Sequence, residues 1–354
     1  MSQFKIMSSI NIHLRGYSPW QRFRSPLIFI ATAGVFTLSL FYSLIVFSQF
    51  PLTGNDLLKV LTSYNSDDIN QQIIVGLRLP RTLVAILVGI AMAIAGLLMQ
   101  GITRTPLASP SVFGVSAGAA FAFAFASTGL LPALAHIPVL LITMAGALSS
   151  GVLVFFLGGL HLPQVNPIRV VLAGVALNYL FISMTRAAVI FADEHAYGVL
   201  HWLIGSVSNT RMEDVYTMLP GLGIGLLLAV LLTHKLNLMH IGEEMMNSLG
   251  GNPKKVRILA SIAVILLIAS AVSVAGPVGF IGLMIPHIAR ALIGQDYRLL
   301  VPLCALLGAT LMLVADIFSR VIRFPDDSPI GIITSVIGAL FFLALALRQV
   351  RPQP

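Results

Sequence analysis

The sequence predicts an all-α polytopic membrane protein with about ten transmembrane helices, and its composition and its apolar pattern both support this class. Hydrophobic residues make up 57% of the 354 residues, charged residues make up only 10%, and the mean hydropathy is +0.94. An ordinary globular domain is about 25% charged. The apolar residues also form uncharged runs of roughly 20 residues, which is the length of a helix that crosses a bilayer.

Ten such runs are bounded by polar residues, glycine or proline, and each predicts one membrane span. The eighth run is short and is surrounded by glycine and proline. Because interrupted helices are tolerated in a membrane only where protein or water satisfies the backbone, this run predicts a pathway nearby. The predicted spans are residues 26–48, 81–101, 111–129, 138–160, 169–192, 214–234, 256–276, 280–293, 298–323 and 329–347.

These limits divide the chain into an N-terminal tail (1–25), a transmembrane domain (26–348) and a C-terminal tail (349–354). The leader is long for a signal peptide and no small-residue cleavage pattern follows it, so the first span is expected to be retained. The single cysteine, Cys304, excludes an intrachain disulfide.

The distribution of charge predicts the orientation of the chain. An even number of spans puts both termini on one side, and that side carries 14 of the 21 Lys and Arg residues but three of the 13 Asp and Glu residues. Positive residues favour the cytoplasmic side, so both termini are expected there. This topology explains the pI of about 10.0 without a nucleic acid partner.

Arginines at the outer ends of two spans need a separate explanation. Arg78 and Arg81 flank Pro80, a residue that suits the first turn of a helix, although the helix dipole disfavours a cation there. Two interpretations stay open: these arginines reach the lipid headgroups as anchors, or they receive carboxylates of an external partner. Arg320 follows Asp316 by four residues, which predicts an intrahelical ion pair.

The longest cytoplasmic loop, residues 234–257, predicts a short amphipathic helix beneath the membrane. Two acidic residues suit its first turn, three apolar residues form a side, and a glycine pair ends it. Exposed apolar side chains favour docking of a partner over a solvated connector. The residues concerned are Glu243, Glu244, Met245, Met246, Leu249, Gly250 and Gly251.

Motifs of catalysis and metal binding are missing from the sequence. Without a Gly-Lys dipeptide no Walker A loop can form, and neither an H-E-x-x-H nor a G-x-S-x-G pattern occurs. The histidines at 195 and 201, and at 234 and 240, are six positions apart and do not share a helix face. The sequence therefore predicts no catalytic residue and no metal site.

Four motifs together resemble the FecCD-type permeases of ABC importers for iron-siderophore complexes, haem and cobalamin. They are "RLPRTLVAILVGIAMAIAGLLMQGITRTPLASPSVFGVSAGAA", "GEEMMNSLGGNPKKVR", "AGPVGFIGLMIPHIAR" and "SPIGIITSVIGALFF". The resemblance implies an ABC type II importer permease whose halves are inverted repeats. The glycine and proline interruptions near 101–114 and 276–286 are compatible with such repeats.

The resemblance also implies the partners, the location and the activity. We expect a homodimer or heterodimer with a second permease subunit, two cytoplasmic ATPase subunits that bind ATP and Mg²⁺, and an extracytoplasmic binding protein. The chain itself would need no cofactor and would lie in a bacterial cytoplasmic (inner) membrane. It would move a metal chelate by alternating access, with an iron-siderophore as the first choice and cobalamin or haem as alternatives.

Roles for particular residues follow from the same resemblance. Arg78, Arg81 and Arg320 resemble arginines that receive acidic residues of the binding protein. Residues 243–251 resemble the coupling helix that sits in a cleft of the ATPase.

The inner constriction of the family has an Asn-Pro-Leu-Ala sequence where this chain has Thr105 and Leu107. Thr105 replaces the asparagine, which puts polar gating in doubt, and Leu340 replaces a usual proline, which predicts a straighter final helix. A secondary transporter that works without an ATPase is the rival class, but it needs intramembrane acids, and only Asp316 lies well inside a span. An intramembrane enzyme would need a nucleophile and a base that the sequence does not offer.

Overall fold

The structure is a computed structural model that describes residues 19–45, 53–65, 67–105, 108–109, 114–162, 166–191, 196–322 and 326–350. Across these ranges the regular structure is helical, which confirms the all-α class. The helices are α1 (Pro19–Ile45), α2 (Gly54–Thr62), α3 (Ile69–Ile73), α4 (Leu79–Thr103), α5 (Val115–Ser127), α6 (Val139–Leu157), α7 (Pro167–Phe191), α8 (Ala196–Leu203), α9 (Met212–Ile241), α10 (Glu243–Ser248), α11 (Pro253–Ala275), α12 (Ile281–Ile293), α13 (Tyr297–Ile322) and α14 (Ile330–Val350).

Each predicted span corresponds to one helix of this structure. Within the described ranges eight helices are long and apolar enough to cross a membrane, while α5 and α12 are apolar but have only 13 residues each. Both short helices begin after a residue in the left-handed region, Gly114 with φ 67° and Phe280 with φ 68°. The interruption predicted near 101–114 precedes α5, and the one near 276–286 spans the start of α12, so a short helix of 13 residues follows or includes each.

Helix α4 lies at the centre of the fold, where it packs against α11, α12 and α13. It has the largest share of buried residues among the spans, whereas most residues of α1, α7 and α14 are not buried. The core between the central helices is built of Val, Leu, Ile, Met and Ala side chains, and Cys304 of α13 is fully buried among them.

Glycines allow α4 to touch two neighbours backbone to backbone. A Cβ atom added to Gly89 would lie 2.3 Å from the carbonyl oxygen of Gly308 on α13, and one on Gly96 would lie 2.0 Å from that of Gly282 on α12. Small residues permit such close approach of helices in membranes, where packing rather than the hydrophobic effect holds them together. The α4 glycines therefore fix the positions of α12 and α13.

Candidate functional site

An outer arginine cluster joins α1, α4 and α13 near the predicted outer surface. We define it as Arg81, Arg320, Asp316, Asp327 and Ser43. Nε of Arg81 donates to Oδ1 of Asp316 at 2.7 Å, and its Nη1 forms an ion pair with Asp327. Arg320 forms an ion pair with the other oxygen of Asp316, and its Nη1 donates to the carbonyl oxygen of Ser43 at 2.7 Å.

The predicted pair between Asp316 and Arg320 is confirmed, but the carboxylate has a second partner that sequence reasoning missed. Asp316 is completely buried and lies between two guanidinium groups, one of which is 235 positions away in the sequence. Because both carboxylate oxygens accept from arginine, the acid is compensated within the membrane domain. Spacing along one helix could reveal Arg320 but not Arg81.

The side chains of the predicted docking arginines differ in their exposure. Arg81 and Arg320 are 8% and 3% exposed, because Asp316 and Asp327 draw their guanidinium groups into the protein. The interpretation of Arg81 as a headgroup anchor is therefore wrong. Arg78 ends a π-helical turn, Ile74–Arg78, and lies partly exposed beside the cluster. An external carboxylate could approach Arg78 more directly than the two buried arginines.

The predicted cytoplasmic helix is present as α10, but its apolar residues do not form one exposed side. Met246 is 1% exposed and anchors the helix in the core, whereas Met245 and Leu249 are 52% and 63% exposed. The amide of Gly251 donates to the carbonyl oxygen of Met246 at 2.8 Å, and Gly250 adopts φ 76°. The glycine pair thus ends the helix as predicted, with two apolar side chains available to a partner.

The two acidic residues at the start of α10 have different surroundings. Glu243 accepts from Nη2 of Arg257 at 2.8 Å through Oε2 and forms an ion pair with Nη2 of Arg104 at 3.2 Å through Oε1. Arg257 is 1% exposed, and its Nη1 also donates to the carbonyl oxygen of Leu162 at 3.2 Å. Glu244 is exposed. The sequence indicated a helix start here but not these two arginine partners.

The predicted inner gate begins directly after α4. Thr105 is partly exposed, and its hydroxyl lies 3.1 Å from that of Thr103. Arg104 stands between them with φ 53°, a left-handed conformation. Leu107 lies outside the described residues.

Cavities adjoin α4 and separate α5 from α7. A cavity of about 300 Å³ adjoins the C-terminal end of α4, where Arg104, His240 and Arg290 line it together with Tyr297. A second cavity of about 480 Å³ lies between α5 and α7, with Ser116 and neighbouring polar and apolar residues around it. Across the described ranges, no three His, Cys, Asp or Glu side chains are grouped as metal ligands.

Comparison with known proteins finds similarity along nearly the whole chain. The FecCD transport family matches residues 35–348. The Fe(3+) dicitrate transport system permease protein FecC of Escherichia coli (strain K12) is 38% identical over 315 residues, which are 89% of this chain and 94% of FecC. The Fe(3+)-citrate import system permease protein YfmD of Bacillus subtilis (strain 168) is 41% identical over 286 residues, which are 80% of this chain and 84% of YfmD.

The fold is also similar to that of a solved structure, an inward-facing conformation of a metal-chelate type ABC transporter. The two chains superpose with a TM-score of 0.79 at 28% sequence identity, covering 91% of this chain and 99% of the other. The similarity therefore extends from the four sequence motifs to the arrangement of the helices.

Proposed function

The chain belongs to the FecCD transport family, and from this membership we propose that it is the permease subunit of an ATP-driven importer for an iron(III) chelate. The family is one of ABC permeases, so the chain is a membrane-embedded transport subunit. The observation that carries the proposed substrate is the identity of 38% and 41% to two permeases of ferric citrate systems. A similar permease of an iron(3+)-hydroxamate system, FhuB of Bacillus subtilis (strain 168), supports iron over cobalamin or haem.

The proposed partners are compatible with the surface that the chain leaves available. Two cytoplasmic ATPase subunits would supply ATP hydrolysis, one of them docking on α10, where Met245 and Leu249 are exposed. A second permease subunit, identical or different, would cover part of the apolar surface of the outer helices. The excess of basic residues on the side of the termini supports cytoplasmic termini in a bacterial cytoplasmic membrane.

An extracytoplasmic binding protein would dock at the outer arginine cluster together with Arg78. Arg81 already holds two carboxylates, so a partner's acid that bound Arg81 would have to displace Asp327, whose side chain is 32% exposed. Such an exchange of carboxylates leaves the net charge of the cluster unchanged. Through this exchange Arg81 would serve both as a buried ion-pair partner and as a docking residue.

A secondary transporter is less consistent with the cluster. Coupling to protons would need an intramembrane acid that can release its charge partner, but Asp316 is enclosed by two arginines. The rival therefore has no obvious coupling residue among the described spans.

Uptake of radiolabelled iron by a deletion strain tests the proposed substrate. We expect a strain that lacks the gene for this chain to lose uptake of ferric citrate or a ferric siderophore and to regain it with the wild-type gene. Its cobalamin uptake should stay unchanged. Loss of cobalamin uptake with normal uptake of every iron chelate would overturn the substrate class. Transport by the purified chain in vesicles without any ATPase would instead support the secondary transporter.

A further inference from the structure

We propose that the cavity among α4, α9, α12 and α13 is a binding site for a phosphate group and that Arg290 is its principal ligand. The cavity has a volume of about 300 Å³ and takes side chains from all four helices or the residues next to them. This site is additional to the proposed transport function and does not depend on it.

The cavity lies where three helices end and a fourth begins. Helix α4 ends at Thr103, α9 at Ile241 and α12 at Ile293, and α13 begins at Tyr297. All four helices correspond to predicted spans, and the excess of basic residues predicts that these ends face the cytoplasm. Lipid phosphates and free phosphate both reach this depth, and basic pockets between transmembrane helices on the cytoplasmic side bind anionic headgroups.

Arg290 gives the cavity a positive charge that its known contacts do not balance. It is half-buried, and its Nη1 donates to Oε1 of Gln100. Gln100 is 4% exposed, and its Nε2 donates to the carbonyl oxygen of Gly282 at 3.2 Å, which fixes the orientation of the amide. None of the ion pairs among the described residues includes Arg290. The C-terminus of α12 carries only about half a negative charge, so it offsets the guanidinium group in part.

Two acids in neighbouring segments are engaged by other groups. Glu243 forms an ion pair with Arg104 at 3.2 Å, and Asp296 accepts from the side-chain amide of Asn237 at 2.6 Å. The described residues that line the cavity include no Asp or Glu. An anion that entered would therefore meet the charge of Arg290 without a carboxylate in the lining to repel it.

The lining also offers hydrogen-bond donors at a spacing suited to oxygen atoms. The guanidinium group of Arg290 presents a planar fork of N–H donors, which matches the oxygens of a phosphate group. The Tyr297 hydroxyl and the Gln295 amide add further donors. Gly101 makes room for the tyrosine, because a Cβ atom there would lie 2.5 Å from its hydroxyl oxygen. The volume is about ten times that of one water molecule, which is enough for a phosphate group.

Binding to the purified full-length permease tests the proposal with two probes. Inorganic phosphate is titrated by calorimetry in neutral detergent, with chloride of equal ionic strength as the reference. For the lipid, the permease is reconstituted in vesicles of equimolar phosphatidylglycerol and phosphatidylcholine, and mass spectrometry measures the ratio of the two lipids that stay bound after extraction. Phosphate binding would identify a soluble ligand, and enrichment of phosphatidylglycerol would identify a lipid headgroup. Either result supports the site if it depends on Arg290.

Variants of Arg290 test that dependence. Arg290→Gln should weaken the binding by about tenfold or more, because a hydrogen bond from a charged donor is lost together with its charge. Arg290→Lys keeps the charge and should retain part of the binding. Arg298→Gln is the matched control, since it removes the same charge from an exposed position outside the cavity lining, and it should bind as the wild type does.

Gln295→Glu provides the test if Arg290→Gln does not fold. Gln295 is exposed and lines the cavity, so a negative charge there should leave the fold intact and weaken the binding by about threefold or more. The inference is wrong if the wild type shows neither phosphate binding above chloride nor enrichment of phosphatidylglycerol. It is also wrong if Arg298→Gln weakens the binding as much as the cavity variants do, because the attraction would then be nonspecific.

Discussion

The substitution Asp316→Asn tests whether the outer arginine cluster stabilises the fold. It keeps the size of the side chain and one oxygen acceptor but removes the negative charge between Arg81 and Arg320, which are 8% and 3% exposed. The acid itself is fully buried, so water cannot replace the lost charge. Among the described residues, Arg320 would keep its hydrogen bonds to Ser43, a neutral partner, and Arg81 would keep Asp327.

The expected magnitude follows from the burial of these groups. Removing one partner of a buried ion pair destabilises proteins by roughly 3 to 5 kcal/mol. Insertion scales give a similar cost, about 2.5 to 3.5 kcal/mol, for an arginine at the centre of a membrane helix. Because Asn still accepts one hydrogen bond, we expect about 3 kcal/mol. A loss of 1 kcal/mol lowers Tm by roughly 2 °C in a large domain, so the expected decrease is about 6 °C.

Thermal denaturation of the purified permease in detergent measures this effect, with all variants heated at the same rate so that scan rate affects them equally. Asp327→Asn is the matched control. It removes the partly exposed partner of Arg81, and exposed pairs contribute only about 0 to 1 kcal/mol, so Tm should decrease by at most about 2 °C. A Tm for Asp316→Asn equal to that of Asp327→Asn would refute the argument that the buried carboxylate compensates two arginines.

Three further variants, the first with a buried-site control, test the interfaces and the packing. Met245→Asp combined with Leu249→Asp should abolish co-purification of the ATPase at normal yield, whereas Met246→Asp should lower the yield itself, because Met246 is buried. Arg78→Glu should lower the association rate of the binding protein at low ionic strength and leave the ATPase bound, as measured by binding kinetics on the immobilised permease complex. Gly89→Leu should prevent folding, assayed by detergent-extracted yield, because its side chain would meet the backbone of α13.

Each of these variants has a contradicting result. Normal ATPase binding by the double aspartate variant would remove α10 from the interface. Salt-independent, wild-type capture by Arg78→Glu would favour a headgroup anchor at that position. A well-folded Gly89→Leu protein would show that α4 and α13 can separate.

Composition and local spacing predicted most of the architecture. Uncharged apolar runs located the eight long apolar helices and the two short ones of the described residues, and glycine and proline positions located the starts of the short ones, because both signals are read within one segment. The pair of Asp316 with Arg320 was predictable for the same reason. The contact of Arg81 with Asp316 was not, since it joins residues 235 positions apart.

The local sequence pattern also could not predict which side chains of α10 point into the protein. Met245 and Met246 are adjacent residues of the same type, but the fold buries Met246 and exposes Met245. Likewise Glu243 and Glu244 are adjacent acids at the start of one helix, and only the tertiary positions of Arg104 and Arg257 distinguish them.

The glycine contacts of α4 have a consequence for alternating access. At the points where two helices touch through their backbones, no side chain lies between them that could repack and let one helix roll over the other. We therefore expect α4, α12 and α13 to keep their relative positions as one rigid body while the rest of the subunit moves. Helix α7, which has few buried residues and borders the cavity next to α5, is then a part that is free to move.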